Sequence, residues 1–172
     1  MNRVATIDKL GGSDGALSFC ARCPSSACCS KIKHGGTVDA PVLLPEEASR
    51  IQELSQLSQE NFSQDLHDSS FRQMRAANGC PFFRNGRCDI YEVRPVDCRL
   101  FPVDIMERED GMLVWIVYTR ICPIRFDPKR LLQHAESLLP VLQGKARAYA
   151  RIAMHGMDPE PFVELGPLSQ QG

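Results

Sequence analysis

Apolar side chains fall at every third position in Ala48, Ile51, Leu54 and Leu57, with charged and amide groups between them. That spacing predicts a helix with one apolar face. Pro45 stands where the first helical position falls, and residues 37–44 before it read as a short extended segment. Ser58 is placed to cap a second short helix carrying Phe62 and Leu66, closed by the polar His67-Asp68-Ser69-Ser70. Further on, MLVWIVYTR at 112–120 is rich in β-branched and aromatic residues and predicts a buried strand, introduced by Asp110-Gly111. Between the helix pair and this strand, Asn85-Gly86 separates two short apolar runs and predicts a tight hairpin turn. Asp127-Pro128 pairs a cap with a first-turn proline, ahead of a broad stripe of Leu131, Leu132, Ala135, Leu138 and Leu139. Pro140 ends or kinks that helix, and a second helical stretch over 141–154 carries Val141, Leu142, Ala146, Tyr149, Ile152 and Ala153.

These elements predict an α+β fold: a small cysteine-rich domain with short strands, a hairpin and surrounding helices. Residues 1–16 read as a flexible lead-in and 17–156 as one domain. Within it lie a cysteine-cluster core at 17–126 and a helical part at 127–156; 157–172 reads as a proline-rich tail. A chain of 172 residues suits one hydrophobic core. With 43% hydrophobic and 24% charged residues it is neither a disordered nor a membrane composition.

Charge and hydropathy narrow the partners. Twenty basic against 21 acidic side chains give no global field for a polyanion, so nucleic acid is not an expected partner. The longest apolar run, at 112–117, is far short of the roughly 20 residues that cross a bilayer, so no membrane partner is expected either. The first residues lack the apolar segment of about 7–15 positions that a secretory signal requires. The expected location is therefore the cytoplasm, where thiols stay reduced.

The eight cysteines carry the candidate chemistry. Cys20, Cys23, Cys28 and Cys29 fall within ten positions, and Cys80, Cys88, Cys98 and Cys122 lie downstream. The two-residue gap of Cys20 and Cys23 lets both sulfurs face one metal from a tight turn, and the Asn85-Gly86 turn brings Cys80 and Cys88 together. Thiolates suit Zn²⁺ or an iron–sulfur cluster, as two sites or as one with spare thiols. The adjacent Cys28 and Cys29 are expected to face different directions, because neighbours on extended backbone point apart. A disulfide framework and a catalytic thiol are the competing readings, and no phosphate-binding glycine motif is present. Glu92, Arg94, Asp97 and Arg99 are weighed as outer partners of the thiolates against a surface salt-bridge network, with Asp104 as a further outer group. His34 is weighed as a ligand against plain polar surface.

CARCPSSACC at 20–29, joined to CPFFRNGRCDIYEVRPVDCRLFP at 80–102 and the later Cys122, resembles the zinc- or iron-chelating cysteine-cluster proteins, a family that includes the flagellin lysine N-methylases. The resemblance covers about residues 17–126 and places the family's cysteines on Cys20, Cys23, Cys28, Cys29, Cys80, Cys88 and Cys98, with Cys122 as the last member. It implies a metal-binding protein holding an iron–sulfur cluster, zinc or iron, with no biological role assigned. An S-adenosylmethionine-dependent protein lysine methyltransferase is the alternative it offers. A zinc-shaped interaction module with an unidentified protein partner is another.

Overall fold

The structure is a computed structural model, which describes residues 23, 26–32, 38–66, 70–122, 127–142, 144–153 and 161–169. Cys20, His34, His67 and His155 lie outside the described residues, as does the lead-in.

The chain enters on one helical turn, α1 (Ala27–Ser30), and then a two-residue strand, β1 (Val42–Leu43). Helix α2 (Pro45–Ser55) starts on the expected proline and ends where Gln56 turns left-handed. Its Ala48 and Ile51 are buried, whereas Leu54 is 53% exposed, so the apolar stripe reaches the core only over its first turns.

The second predicted helix is cut short. α3 (Gln59–Phe62) keeps Phe62 buried, but β2 (Ser63–Asp65) follows at once, with Leu66 beyond it. Pairing overrides local propensity here, because β3 (Arg72–Met74) takes β2 on one edge and β1 on the other, in the order β1-β3-β2. The hairpin β4 (Phe83–Arg84) and β5 (Arg87–Cys88) forms around Asn85 and Gly86, both at positive φ as its tight turn requires. A 3-10 turn at Tyr91–Val93 and the short helix α4 (Val96–Leu100) complete this half.

The remaining strands form an antiparallel sheet in the order β6-β7-β8. The predicted strand is its centre, β7 (Leu113–Tyr118); β6 (Val103–Glu107) was not anticipated. The presumed tail contributes β8 (Phe162–Pro167), paired from Tyr118↔Phe162 to Val114↔Pro167 with a register shift after Trp115. Its prolines are compatible with pairing because Pro161 precedes and Pro167 ends an edge strand, where one side needs no ladder bond.

Helix α5 (Pro128–Leu138) begins as expected, with Asp127 Oδ1 accepting the Lys129 N–H at 2.8 Å. The chain tightens to a 3-10 turn at Leu139–Leu142 around Pro140, and α6 (Ala146–Ala153) follows. These helices bury Leu131, Ala135, Leu138, Leu142 and Tyr149 against Val103, Ile105 and Trp115 in the largest apolar cluster. A second cluster joins Leu43, Ala48, Ile51, Phe62, Met74, Phe82 and Ile90, and Cys80 and Cys88 pack on its border. No described helix is long and apolar enough to cross a membrane.

Candidate metal centre

The two halves of the cysteine pattern meet at a backbone seam. The Cys80 N–H donates to Cys29 O at 2.9 Å, and the Gly79 N–H donates to Ile32 O at 3.0 Å. A Cβ on Gly79 would stand 3.1 Å from Ser30 O, and its φ is +92°. Only glycine satisfies both the conformation and the close approach. Across this seam, Cys23, Cys28, Cys29, Cys80, Cys88, Cys98 and Cys122 line one cavity of about 440 Å³, seven of the eight cysteines.

Local backbone explains where the thiols point. Cys28 and Cys29 sit on the turn of α1, whose Cys29 and Ser30 N–H groups both donate to Ser26 O. On a helix consecutive side chains diverge by about 100°, not the half-turn of a strand. Both thiols of the doublet therefore reach one cavity, and the Cys28 and Cys29 thiols hydrogen-bond each other. The Phe82 and Phe83 N–H groups favour the thiolate of Cys80, and the Ile90 N–H favours that of Cys88.

Without a cation the Cys28, Cys80, Cys88 and Cys98 thiols are hard to ionise. The bond to Cys29 first, then burial and the charges of Cys29 and Cys23, hold the Cys28 pKa far above the usual thiol range. Burial pushes Cys80 up to about 11, with the charges of Cys88 and Cys28 adding to it. Burial also raises Cys88 and, more strongly, Cys98, on which Asp97, Cys80 and Cys88 act in the same direction. Cys28 and Cys80 thus link the two groups of thiols electrostatically.

Of the charged groups in IYEVRPVDCRLFP, Arg94 and Asp97 line the cavity. The Arg94 guanidinium lies 3.8 Å above the Tyr91 ring, its Nε donates to Tyr91 O at 3.1 Å, and its charge opposes the upward shifts of Cys88 and Cys98. Glu92 is exposed. Asp97 borders the cavity, yet both its oxygens accept structural bonds, from the Val42 N–H and the Tyr149 O–H, each at 2.7 Å. Arg99 feels Glu47, Arg94 and Arg50 instead of the thiols, and His134 Nε2 donates to its carbonyl at 2.9 Å.

Asp104 is not an outer partner of the thiols. It lies on a separate cavity of about 60 Å³, where it accepts from the Tyr118 O–H at 3.1 Å and the Ile105 N–H at 2.7 Å. Its register partner on β7 is Ile116, and its carboxylate reaches the hydroxyl of Tyr118, two residues further along that strand.

Glu47 is the residue that sequence reasoning missed. Buried in α2, it accepts the Leu44 N–H at 3.0 Å and, across 49 residues, the Val96 N–H at 2.7 Å. It thereby fixes the start of α4, the helix that delivers Cys98. The two acids after Pro45 signal a capped helix start, but nothing local signals the bond to Val96.

The donor set fits a thiophilic metal, since soft thiols crowd one cavity and several have amide N–H groups aimed at their sulfurs. Among the described residues no group of three or more His, Cys, Asp or Glu side chains is already set to hold an ion. A family model described as "Putative zinc- or iron-chelating domain", with the signature CxxCxxCC, matches residues 19–123. No curated protein and no solved structure matches the chain.

Proposed function

The chain belongs to the CxxCxxCC family of zinc- or iron-chelating domains, and from that premise we propose that the cysteine cavity is a metal centre. It holds an iron–sulfur cluster, zinc or iron through thiolates from both halves of the chain, drawn from Cys20, Cys23, Cys28, Cys29, Cys80, Cys88, Cys98 and Cys122. The observation that carries this reading is the convergence of seven cysteines on one cavity from segments as distant as Cys23 and Cys122. A metal there supplies Lewis acidity as zinc or one-electron chemistry as an iron–sulfur cluster. The protein's own contribution is the seam at Gly79, the Glu47 bond that seats α4, and the Arg94 charge beside Cys88 and Cys98.

Metal analysis and an absorption spectrum of anaerobically purified protein test the proposal. Stoichiometric iron with a brown colour that air bleaches supports the cluster, and stoichiometric zinc without colour supports the mononuclear alternative. Cys98→Ser and Cys20→Ser should each lose metal and soluble yield together, because binding energy at such a centre is also folding energy. Normal metal content in both variants would sink the reading.

A further inference from the structure

Beyond its thiols, the cavity has more space and more carbon surface than a closed metal site needs. Structural zinc is enclosed by about four ligands at roughly 2.0–2.3 Å, whereas a centre that binds an outside molecule keeps a position open. Here seven thiols surround about 440 Å³, within the range of roughly 300–1,000 Å³ typical of small-molecule sites. Much of the rest of the wall is apolar: Val38, Met74, Phe83, Ile90, Phe101 and Ile121. Met74 and Ile90 are fully buried in the second apolar cluster, which gives that wall a fixed backing.

We propose that this cavity is a binding site for an organic molecule that puts a metal-coordinating head on the thiolate-held ion and an apolar body against the Phe83, Phe101 and Ile121 wall. The proposal rests on the metal reading above. It adds that the centre is open and that what reaches it is apolar.

Imidazole and 4-phenylimidazole offer nearly the same donor and differ by one phenyl ring, so cobalt(II)-loaded protein titrated with each separates head from body. Both should shift the visible cobalt bands while cobalt stays bound, and 4-phenylimidazole should bind roughly tenfold tighter or more through burial of its ring. Phe101→Ala should reduce that preference to a few-fold. Cobalt bound with unmoved bands overturns the open site, and equal affinity for the two probes overturns the apolar subsite. A protein that takes up no cobalt, zinc or iron overturns the metal reading itself and this proposal with it.

Discussion

The half of the molecule built on β6, β7, α5 and α6 is held by carbon. Its strands run five and six residues, α5 runs eleven, and Trp115, Ile105, Ala135 and Leu142 are sealed between them. The cysteine half has one long helix, α2, on a smaller apolar cluster, but the elements that carry its cysteines are strands of two residues and helices of four and five, lengths that cannot sustain themselves by their own ladders. What fixes it instead is a set of single bonds between distant segments: Cys80 to Cys29, Gly79 to Ile32, Val96 to Glu47 and Val42 to Asp97. The first half is specified by pattern and volume. The second is specified by a few contacts, to which a metal would add the strongest.

The largest effect should therefore come from taking the metal away. Hydrogen exchange of loaded and chelated protein should show protection at the Gly79, Cys80 and Asp89 amides falling by at least roughly 100-fold on chelation. The Ile105 and Trp115 amides of β6 and β7 should change by less than about tenfold. An equal fall in both places would mean that the halves open as one unit, and the contrast between them would be wrong.

Acidity should separate the metal from the buried acids next, because thiolate ligation and the buried carboxyls respond with opposite sign. Burial outweighs the two N–H bonds to Glu47 and lifts its pKa from 4.5 to about 7, and burial followed by Asp97 lifts Asp104 from 3.8 to about 7. The folded protein keeps these protons to near pH 7, while the unfolded chain releases them near the ordinary values. Their contribution is fully present below those values and is lost as the pH climbs through about 7, with Glu47 alone accounting for at most about 3 kcal/mol. Metal binding runs the other way, since each thiol must shed its proton before it ligates. Urea midpoints at pH 5 and pH 8 should fall with rising pH for chelated protein and hold or rise for loaded protein. A chelated protein that gains stability toward pH 8 would show that Glu47 and Asp104 are ionised in the fold.

Legibility in the sequence follows how far away along the chain the cause of each feature lies. The Asn85-Gly86 turn, the Asp127-Pro128 start of α5 and the β7 strand were readable because their causes lie within a few residues. The cysteines were readable as a set, and the mixed α+β class with them. The direction of the Cys28–Cys29 pair was not, since it depends on whether one turn is helical or extended. Leu66 fell outside its predicted helix because β3 claims the preceding residues, and β8 was hidden by its flanking prolines and exposed side chains. Glu47 and Asp104 were missed or misplaced for one reason: their partners are chosen by tertiary packing, at Val96 and Tyr118.

The smallest effect tests the seam with two glycines that differ in one respect. Gly79 and Gly111 both sit at positive φ, +92° and +79°, so an alanine at either should cost about 1–2 kcal/mol in backbone strain. A Cβ at Gly111 meets nothing within 4 Å, whereas one at Gly79 meets the Ser30 carbonyl at 3.1 Å. That oxygen belongs to the backbone of the cysteine turn, so relief requires α1 to move away from Cys80. Gly79→Ala should therefore lower the urea-derived stability by about 1 kcal/mol more than Gly111→Ala, the cost of a modest overpacking. It should also speed metal release to a chelator, which Gly111→Ala should leave unchanged, because only the former opens the contact between Cys29 and Cys80. If both alanines cost the same and neither alters release, the seam is a bystander, and the cysteine half is held by the Glu47 and Asp97 bonds and by its thiols.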